Sequence, residues 1–348
     1  MNIPYIAVIL AILTTILALN LFRKLALRID LVDFPGERKK HNGSIPLIGG
    51  LSMFAGILVS LLMLPIDKDL IKYLLLALFT LVAVGSFDDH KNISVWLRFL
   101  FQAIAALIMI LIAGINVESI GNLNGSGVII LQQWSILFTF ISVIGSINAV
   151  NMMDGIHGLA GGQSLISFIA ISFLAFINNS FLGFSIAIVF CAVLMPFMIE
   201  NLCIGRSEAK RVFMGDAGSM MLGLAIVWLL VDLSQGVNRS FAPVTALWIF
   251  SVPLIDFFFT ILRRIAKKQS PLKPDRGHLH HVLIQKGFSE LQSLLIILML
   301  TLVIAIVGVL GELLIISEWK MFYGFIFIFL LYSLYISYSW KLLNSFSS

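Results

Sequence analysis

Residues 181–232 read FLGFSIAIVFCAVLMPFMIENLCIGRSEAKRVFMGDAGSMMLGLAIVWLLVD. From 181 to 199 no side chain is charged. A helix of roughly 20 apolar residues crosses the hydrocarbon of a bilayer, so this run is long enough to span. A polar turn with Glu200, Arg206, Glu208, Lys210 and Arg211 follows, and a second apolar run covers 214–232 with Asp216 and Asp232 at its ends. Apolar run, charged turn, apolar run predicts a pair of membrane helices. A membrane β-barrel would alternate apolar and polar residues instead.

The same test along the chain finds eleven stretches, at about 3–22, 47–65, 70–87, 95–114, 131–150, 160–178, 181–199, 214–232, 241–262, 291–311 and 319–341. The fold class is therefore all-α, a polytopic integral membrane protein. Composition agrees: of 348 residues 59% are hydrophobic and 12% charged, with a mean hydropathy of +1.03. Soluble domains carry about 25% charged residues, and disorder needs still more charge with less apolar content. Cys191 and Cys203 suggest neither a disulfide framework nor a zinc site. No segment between spans is long enough to fold alone, so residues 1–348 read as one membrane-embedded domain.

The first run lacks a basic segment before it and is followed by Arg23 and Lys24, as for a retained helix that starts outside. In that orientation only Lys68, Lys72, Arg239 and Lys320 of the 23 Lys and Arg residues fall outside, and the rest lie on the cytoplasmic side. All six histidines also fall inside, with Asp88, Asp89, Asp154 and Asp216. The net charge of +5 is thus a topology signal and not a nucleic-acid footprint. The chemistry is expected on the inner loops, at about 23–46, 87–95, 151–160, 200–215 and 263–290.

Five motifs occupy those loops. Gly85-Ser86-Phe87-Asp88-Asp89-His90 puts two adjacent acids at a helix C-terminus, where the dipole disfavours each by up to about 1 kcal/mol. A divalent cation there would reverse that sign. Asn148 to Gly162 holds Asn151 and Asp154 three residues apart, on one side of a turn, followed by glycines that let backbone N–H groups approach a ligand. Arg211 to Ser219 offers Asp216 as a helix cap or a ligand, and Phe213 as a stacking surface or an interfacial aromatic. Pro271 to His281 ends in His278, His280 and His281 beside Arg276. Without a nearby cysteine, and among so many carboxylates, Mg²⁺ on oxygen ligands suits this face better than zinc. Arg38 to Gly50 is a basic run with Lys40 and His41, then Gly49-Gly50 at a helix start, where close packing or ligand approach is expected. Inside the ninth span, Asp256 needs a cavity or a basic partner, and Arg263 lies two turns on.

In this order the motifs resemble the polyprenyl-phosphate N-acetylhexosamine-1-phosphate transferases, glycosyltransferase family 4. The resemblance runs from Leu31-Val32-Asp33 to about residue 290, with the most specific pieces at 40–50, 212–219 and 275–281 and a further match at 243–249. Within the family the motifs are most similar to the branch that places N-acetylglucosamine 1-phosphate on undecaprenyl phosphate. The resemblance implies transfer of that group from UDP-N-acetylglucosamine, release of UMP, and Mg²⁺ as cofactor, with Mn²⁺ as its substitute. It implies a first membrane step of a cell-surface polysaccharide such as O-antigen, at the bacterial inner membrane with the active face in the cytoplasm. Asp88, Asp89 and Asp154 would be catalytic, and Asp216, Asn151 and Asp89 would hold the metal. Phe213, His157 and Gly155 would meet the nucleotide. His278, His280, His281, Arg276, Lys40 and His41 would meet phosphates and sugar.

One position departs from the family pattern: His157 stands where relatives of this type usually have aspartate. An imidazole does not replace a hard carboxylate on Mg²⁺ without loss, so either His157 meets the nucleotide and not the metal, or the donor sugar nucleotide differs. Two rivals remain: a transferase for another UDP-N-acetylhexosamine or for UDP-MurNAc-pentapeptide, and a secondary transporter of an anionic metabolite. The partners expected are undecaprenyl phosphate, a UDP-N-acetylhexosamine and the bilayer, with no nucleic acid; oligomeric state stays open, a homodimer included.

Overall fold

A computed structural model describes residues 4–34, 43–64, 68–270 and 277–346. All eleven apolar stretches are helical. Among the described residues nine helices have the length and apolarity of a membrane span. They are α1 (Tyr5–Arg28), α3 (Lys68–Lys91), α4 (Val95–Leu107, prolonged by a π turn to Ile112), α5 (Ser135–Met153), α6 (Leu159–Ile177), α7 (Phe181–Asn201), α8 (Gly215–Asp232), α12 (Glu290–Leu313) and α13 (Glu318–Phe346). The chain is a multi-pass membrane protein.

Two of the eleven stretches take another form. The one at 47–65 yields α2 (Gly49–Leu62), 14 residues long; at 1.5 Å per residue that is about 21 Å, short of a ~30 Å hydrocarbon layer. The one at 241–262 is broken into α9 (Pro243–Ile249) and α10 (Ser251–Ala266), bent by 84°. Pro253 has no N–H for the carbonyl four residues back, that of Ile249. Ser167 Oγ on α6 donates to that oxygen at 3.1 Å instead. At the other end of α9, Glu312 Oε2 accepts from Ala242 N at 3.0 Å and from Thr245 Oγ1 at 2.5 Å. A break inside a bundle persists when neighbours satisfy the freed backbone groups in this way.

The run at 214–232 forms the central helix. Nearly every residue of α8 is buried, by α2, α3 and α5 among others. A helix enclosed on all sides needs no amphipathic stripe, and hydrophobic residues line it throughout. Its N-terminus meets α2 and α3 without intervening side chains. A Cβ on Gly50 would fall on the backbone of Ala217 and Gly218, and one on Gly85 on that of Asp216 and Ala217. The chain before α2 is stitched to the chain before α8. Phe213 N donates to Pro46 O (2.9 Å), Gly49 N to Phe213 O (2.9 Å) and Gly50 N to Met214 O (3.0 Å). A two-residue pairing of β1 (Val32–Asp33) with β2 (Ile45–Pro46) brings Asp33 to the same place.

Candidate functional site

The site grows from the N-terminus of α8. Gly215 turns into the helix with φ +69°, and a side chain on it would strike the Asp89 carboxylate. Asp89, at the end of α3, accepts from Asp216 N at 2.8 Å and from Ala217 N at 3.3 Å. It is a helix cap supplied by another helix, and the α8 dipole favours an acid there by about 0.3–1 kcal/mol. Gly85 and Asp89 are one turn apart on α3, so the contact with α8 and the cap share one face.

Asp88 looks the other way. Its Oδ1 accepts from Ile93 N (2.8 Å) and its Oδ2 from Arg98 Nη1 (2.8 Å), and the residue is buried. Arg98 is on α4, whose first turn is capped by Ser94. The same nitrogen reaches Asp216 Oδ2 at 3.1 Å. Asn151, near the end of α5, donates from Nδ2 to Asp216 Oδ1 (2.7 Å) and to Ser219 Oγ (2.9 Å). Asp216 is therefore the hub on which Asp89, Arg98 and Asn151 converge, with Asp88 joined through Arg98.

Two cavities meet here. The first, of about 300 Å³, is lined by Asp33, Asp89, Asp154, His157, Phe213 and Asp216 among others. The rings of His157 and Phe213 stack at 5.0 Å between centroids, tilted by 29°. Buried Asn201 ties both: its Oδ1 accepts from Gly158 N at 2.7 Å and its Nδ2 donates to Val212 O at 2.8 Å. Gly158, at φ +79°, is the turn residue that opens α6.

The second cavity, of about 580 Å³, lies between α4, α5 and α10 and reaches α11 (Leu279–Gln285). Arg98, Arg264, His278, His280 and His281 face it, while Phe140, Ile144, Phe257 and Phe258 give it an apolar wall. Asn151 and Gly155 line both cavities. A third, apolar space of about 410 Å³ continues from the second past Ile141, Gly145 and Phe258.

The three histidines have different surroundings. His278 Nδ1 pairs with Asp256 Oδ2 at 2.5 Å. The basic partner of Asp256 is thus His278; Arg263 instead lies against the rings of Phe259 and Trp340. His280 is buried, and neither ring nitrogen has a hydrogen-bond partner among the described residues. Burial, with His281 and His278 alongside, pushes its pKa down to about 3, so it is a neutral ring at physiological pH. His281 packs against it at 4.1 Å between centroids.

The structure thus gathers Asp88, Asp89, Asn151 and Asp216 at one point, sets Asp154, Gly155, His157 and Phe213 on the first cavity, and sets the histidines on the second. Lys40, His41 and Arg276 lie outside the described residues. Among the described residues no three His, Cys, Asp or Glu side chains form a cluster ready to ligate a metal. The groups that do converge are carboxylates and a carboxamide, hard oxygen donors. Three participants carry no motif in the sequence. Arg98 looks like one more basic residue at a cytoplasmic span end, Asn201 is an amide at a span end, and Tyr332, whose hydroxyl donates to Asp256, sits in the last helix.

The family described as Glycosyl transferase family 4 matches residues 71–234. The undecaprenyl-phosphate alpha-N-acetylglucosaminyl 1-phosphate transferase of Yersinia pestis is 38% identical over 321 residues, 92% of this chain and 87% of that protein. The protein of the same description from Haemophilus influenzae is 39% identical over 338 residues, 97% of this chain and 95% of its own. That from Escherichia coli K12 is 37% identical over 334 residues, 94% and 90% respectively.

Proposed function

The chain belongs to glycosyl transferase family 4, and we propose that it transfers N-acetylglucosamine 1-phosphate from UDP-N-acetylglucosamine to undecaprenyl phosphate, releasing UMP. The observation that carries this reading is the junction of a polar and an amphipathic cavity at Asn151 and Gly155, beside Asp216. The uridine end would occupy the first, stacked on the Phe213–His157 rings. The lipid phosphate would enter the second between Arg98 and Arg264, with its isoprenoid tail along Phe140, Phe257 and Phe258 and on into the apolar third space. A transporter would need a polar path across the bilayer; the third space is apolar and argues against one.

Phosphoryl transfer asks mostly for positioning and charge neutralisation. The second pKa of a phosphate monoester is about 6, so the attacking lipid phosphate is largely dianionic at neutral pH and gains little from a base. Both oxygens of Asp88 are already engaged, by Ile93 N and by Arg98. That supports an orienting role: Asp88 holds Arg98 where the acceptor phosphate arrives. Asp216, Asn151 and Asp89 fit Mg²⁺, an ion that takes hard oxygens and keeps several waters, so few protein ligands suffice. When bound there, Mg²⁺ would neutralise the pyrophosphate of the donor. Asn201 fixes the backbone on both sides of the ring pair, and the neutral His280 can offer one hydrogen bond without adding charge.

The charge bias of the loops supports a cytoplasmic active face, in the inner membrane of a bacterium, with a periplasmic N-terminus. The product would begin a cell-surface polysaccharide such as O-antigen. The test is incubation of membranes containing the chain with undecaprenyl phosphate, Mg²⁺ and labelled UDP-N-acetylglucosamine, UDP-N-acetylgalactosamine or UDP-MurNAc-pentapeptide. Lipid-extractable label from the first donor, reversed by added UMP, is expected. Label from another donor alone would reassign the substrate. UMP release without lipid acceptor would favour a covalent aspartyl intermediate over direct attack.

A further inference from the structure

Asp256 is 1% exposed and sits on α10 just past the break that follows α9. A carboxylate at such a position is costly unless donors surround it. Three do, from two distant parts of the chain. His278 Nδ1 meets Oδ2 at 2.5 Å, Leu279 N donates to Oδ1 at 3.1 Å, and Tyr332 of α13 donates its hydroxyl to Oδ1. The first two come from the start of α11, where His278 is the residue before the helix, with extended backbone (φ −75°, ψ 157°). Tyr332 is itself buried, its ring edge-on to Phe259 at 6.0 Å.

The consequence is chemical. An imidazole whose Nδ1–H is held by a carboxylate has its tautomer and ring orientation fixed, and its Nε2 edge is the one left to act. His278 lines the second cavity, with Arg98 and Arg264. Among the described residues none of α13 lines that cavity. Resting on the reading of that cavity as the site of the acceptor phosphate, we propose that Asp256 and Tyr332 are positioning residues that hold His278 with Nε2 toward this phosphate. The C-terminal helix α13 then acts on the reaction through a hydrogen-bond relay, Tyr332 to Asp256 to His278, without touching substrate. Tyr332 also keeps Oδ1 occupied, so Asp256 cannot rotate and release the ring.

The relay is tested on the purified full-length chain with UDP-N-acetylglucosamine and undecaprenyl phosphate. Tyr332→Phe removes one oxygen and keeps the packing. It is expected to lower kcat about 5-fold, in line with one lost hydrogen bond, and to leave the KM of the UDP-sugar unchanged. Asp256→Asn should lower kcat about 100-fold or more, with partial recovery in Asp256→Glu. In a His278→Gln background Tyr332→Phe should have no further effect, since its route runs through the ring. Unchanged kcat in Tyr332→Phe, an equal loss in the His278→Gln background, or a rise in UDP-sugar KM instead would each overturn the proposal. A readout independent of turnover is the nitrogen NMR signal of His278, identified by its absence in His278→Gln. It should report the Nδ1–H form in the wild type and change in Asp256→Asn. Inactive wild type with this signature intact would discard the substrate reading and keep the relay.

Discussion

Arg98→Ala is the most informative single change at the site. One guanidinium nitrogen lies 2.8 Å from Asp88 Oδ2 and 3.1 Å from Asp216 Oδ2. At an effective dielectric near 20, unit charges about 4 Å apart exchange about 4 kcal/mol. Removing Arg98 therefore deletes two such attractions and leaves two carboxylates facing each other. The gross figure overstates the loss, because the side chains of Arg98 and Asp216 are 28% and 30% exposed and partly screened by water, whereas that of Asp88 is 6% exposed. Breaking a buried pair costs about 3–5 kcal/mol, and this pair belongs at the lower end, near 3. That is a large share of a typical net stability of about 5–15 kcal/mol. In EDTA, the thermal midpoint of the detergent-purified variant should fall well below wild type. Millimolar Mg²⁺ should restore most of it, because a divalent ion supplies the missing counter-charge, and should raise wild type less. Turnover should fall about 100-fold or more, as for loss of one preorganised donor. Arg98→Lys should keep part of both, since an ammonium cannot span the two acids as well as a guanidinium. If Arg98→Ala melts with wild type in EDTA, or Mg²⁺ stabilises both equally, the counter-charge argument is wrong.

His157→Asp should remain active. The ring stacks on Phe213 at 5.0 Å, so the change should raise the UDP-sugar KM by about 2- to 10-fold, the worth of an aromatic pair. A loss beyond about 100-fold would place this position on the metal instead. Asn201→Ala strands Gly158 N–H and Val212 C=O, an effect of about 1–3 kcal/mol that should appear in the UDP-sugar KM and leave the lipid KM alone. Equal effects on both substrates would contradict the ring-pair role. His280 predicts a pH slope. Its folded pKa of about 3 lies below the 6.5 of an ordinary imidazole, so above 6.5 both states are neutral and nothing is gained or lost. As pH falls from 6.5 toward 3 the unfolded chain binds the proton first, and stability should drop by up to about 1.4 kcal/mol per pH unit. Thermal midpoints at pH 7.5 and pH 5 should therefore diverge less in His280→Leu than in wild type; an identical slope would remove His280 as its source.

Much of the fold could be read from hydropathy because each span carries its own signal. All eleven stretches became helices, and the one flanked by Asp216 and Asp232 became the most enclosed of the spans. The departures come from tertiary partners. Pro253 announces a weak point, yet the 84° bend depends on Ser167 taking up the Ile249 carbonyl and on Glu312 holding the start of α9. The acids of the site were legible one by one, as improbable charges at the ends of apolar runs. Their division of labour was not: Asp88 and Asp89 are adjacent in sequence, but one is held by Arg98 and the other caps α8. Arg98 itself was hidden because a basic residue near a span end already had a sufficient explanation in membrane orientation.

The glycines show why so polar a site can sit at the end of so apolar a bundle. Gly50, Gly85 and Gly218 let three helices meet backbone to backbone, with no side chain whose rotamer could loosen the contact. Asp89 is one turn beyond Gly85, so the contact that clamps α3 to α8 also delivers a carboxylate to the N–H groups of Asp216 and Ala217. The hub acid is fixed at its backbone by Asp89 and at its side chain by Arg98 and Asn151. Transfer between two phosphates gains from such fixity, because charge that is already in place need not reorganise as the new bond forms. An alanine at Gly85 would keep every charged group named above and still push α3 off α8, separating Asp89 from the helix it caps. Position, not the inventory of charges, is what the bundle contributes to the chemistry.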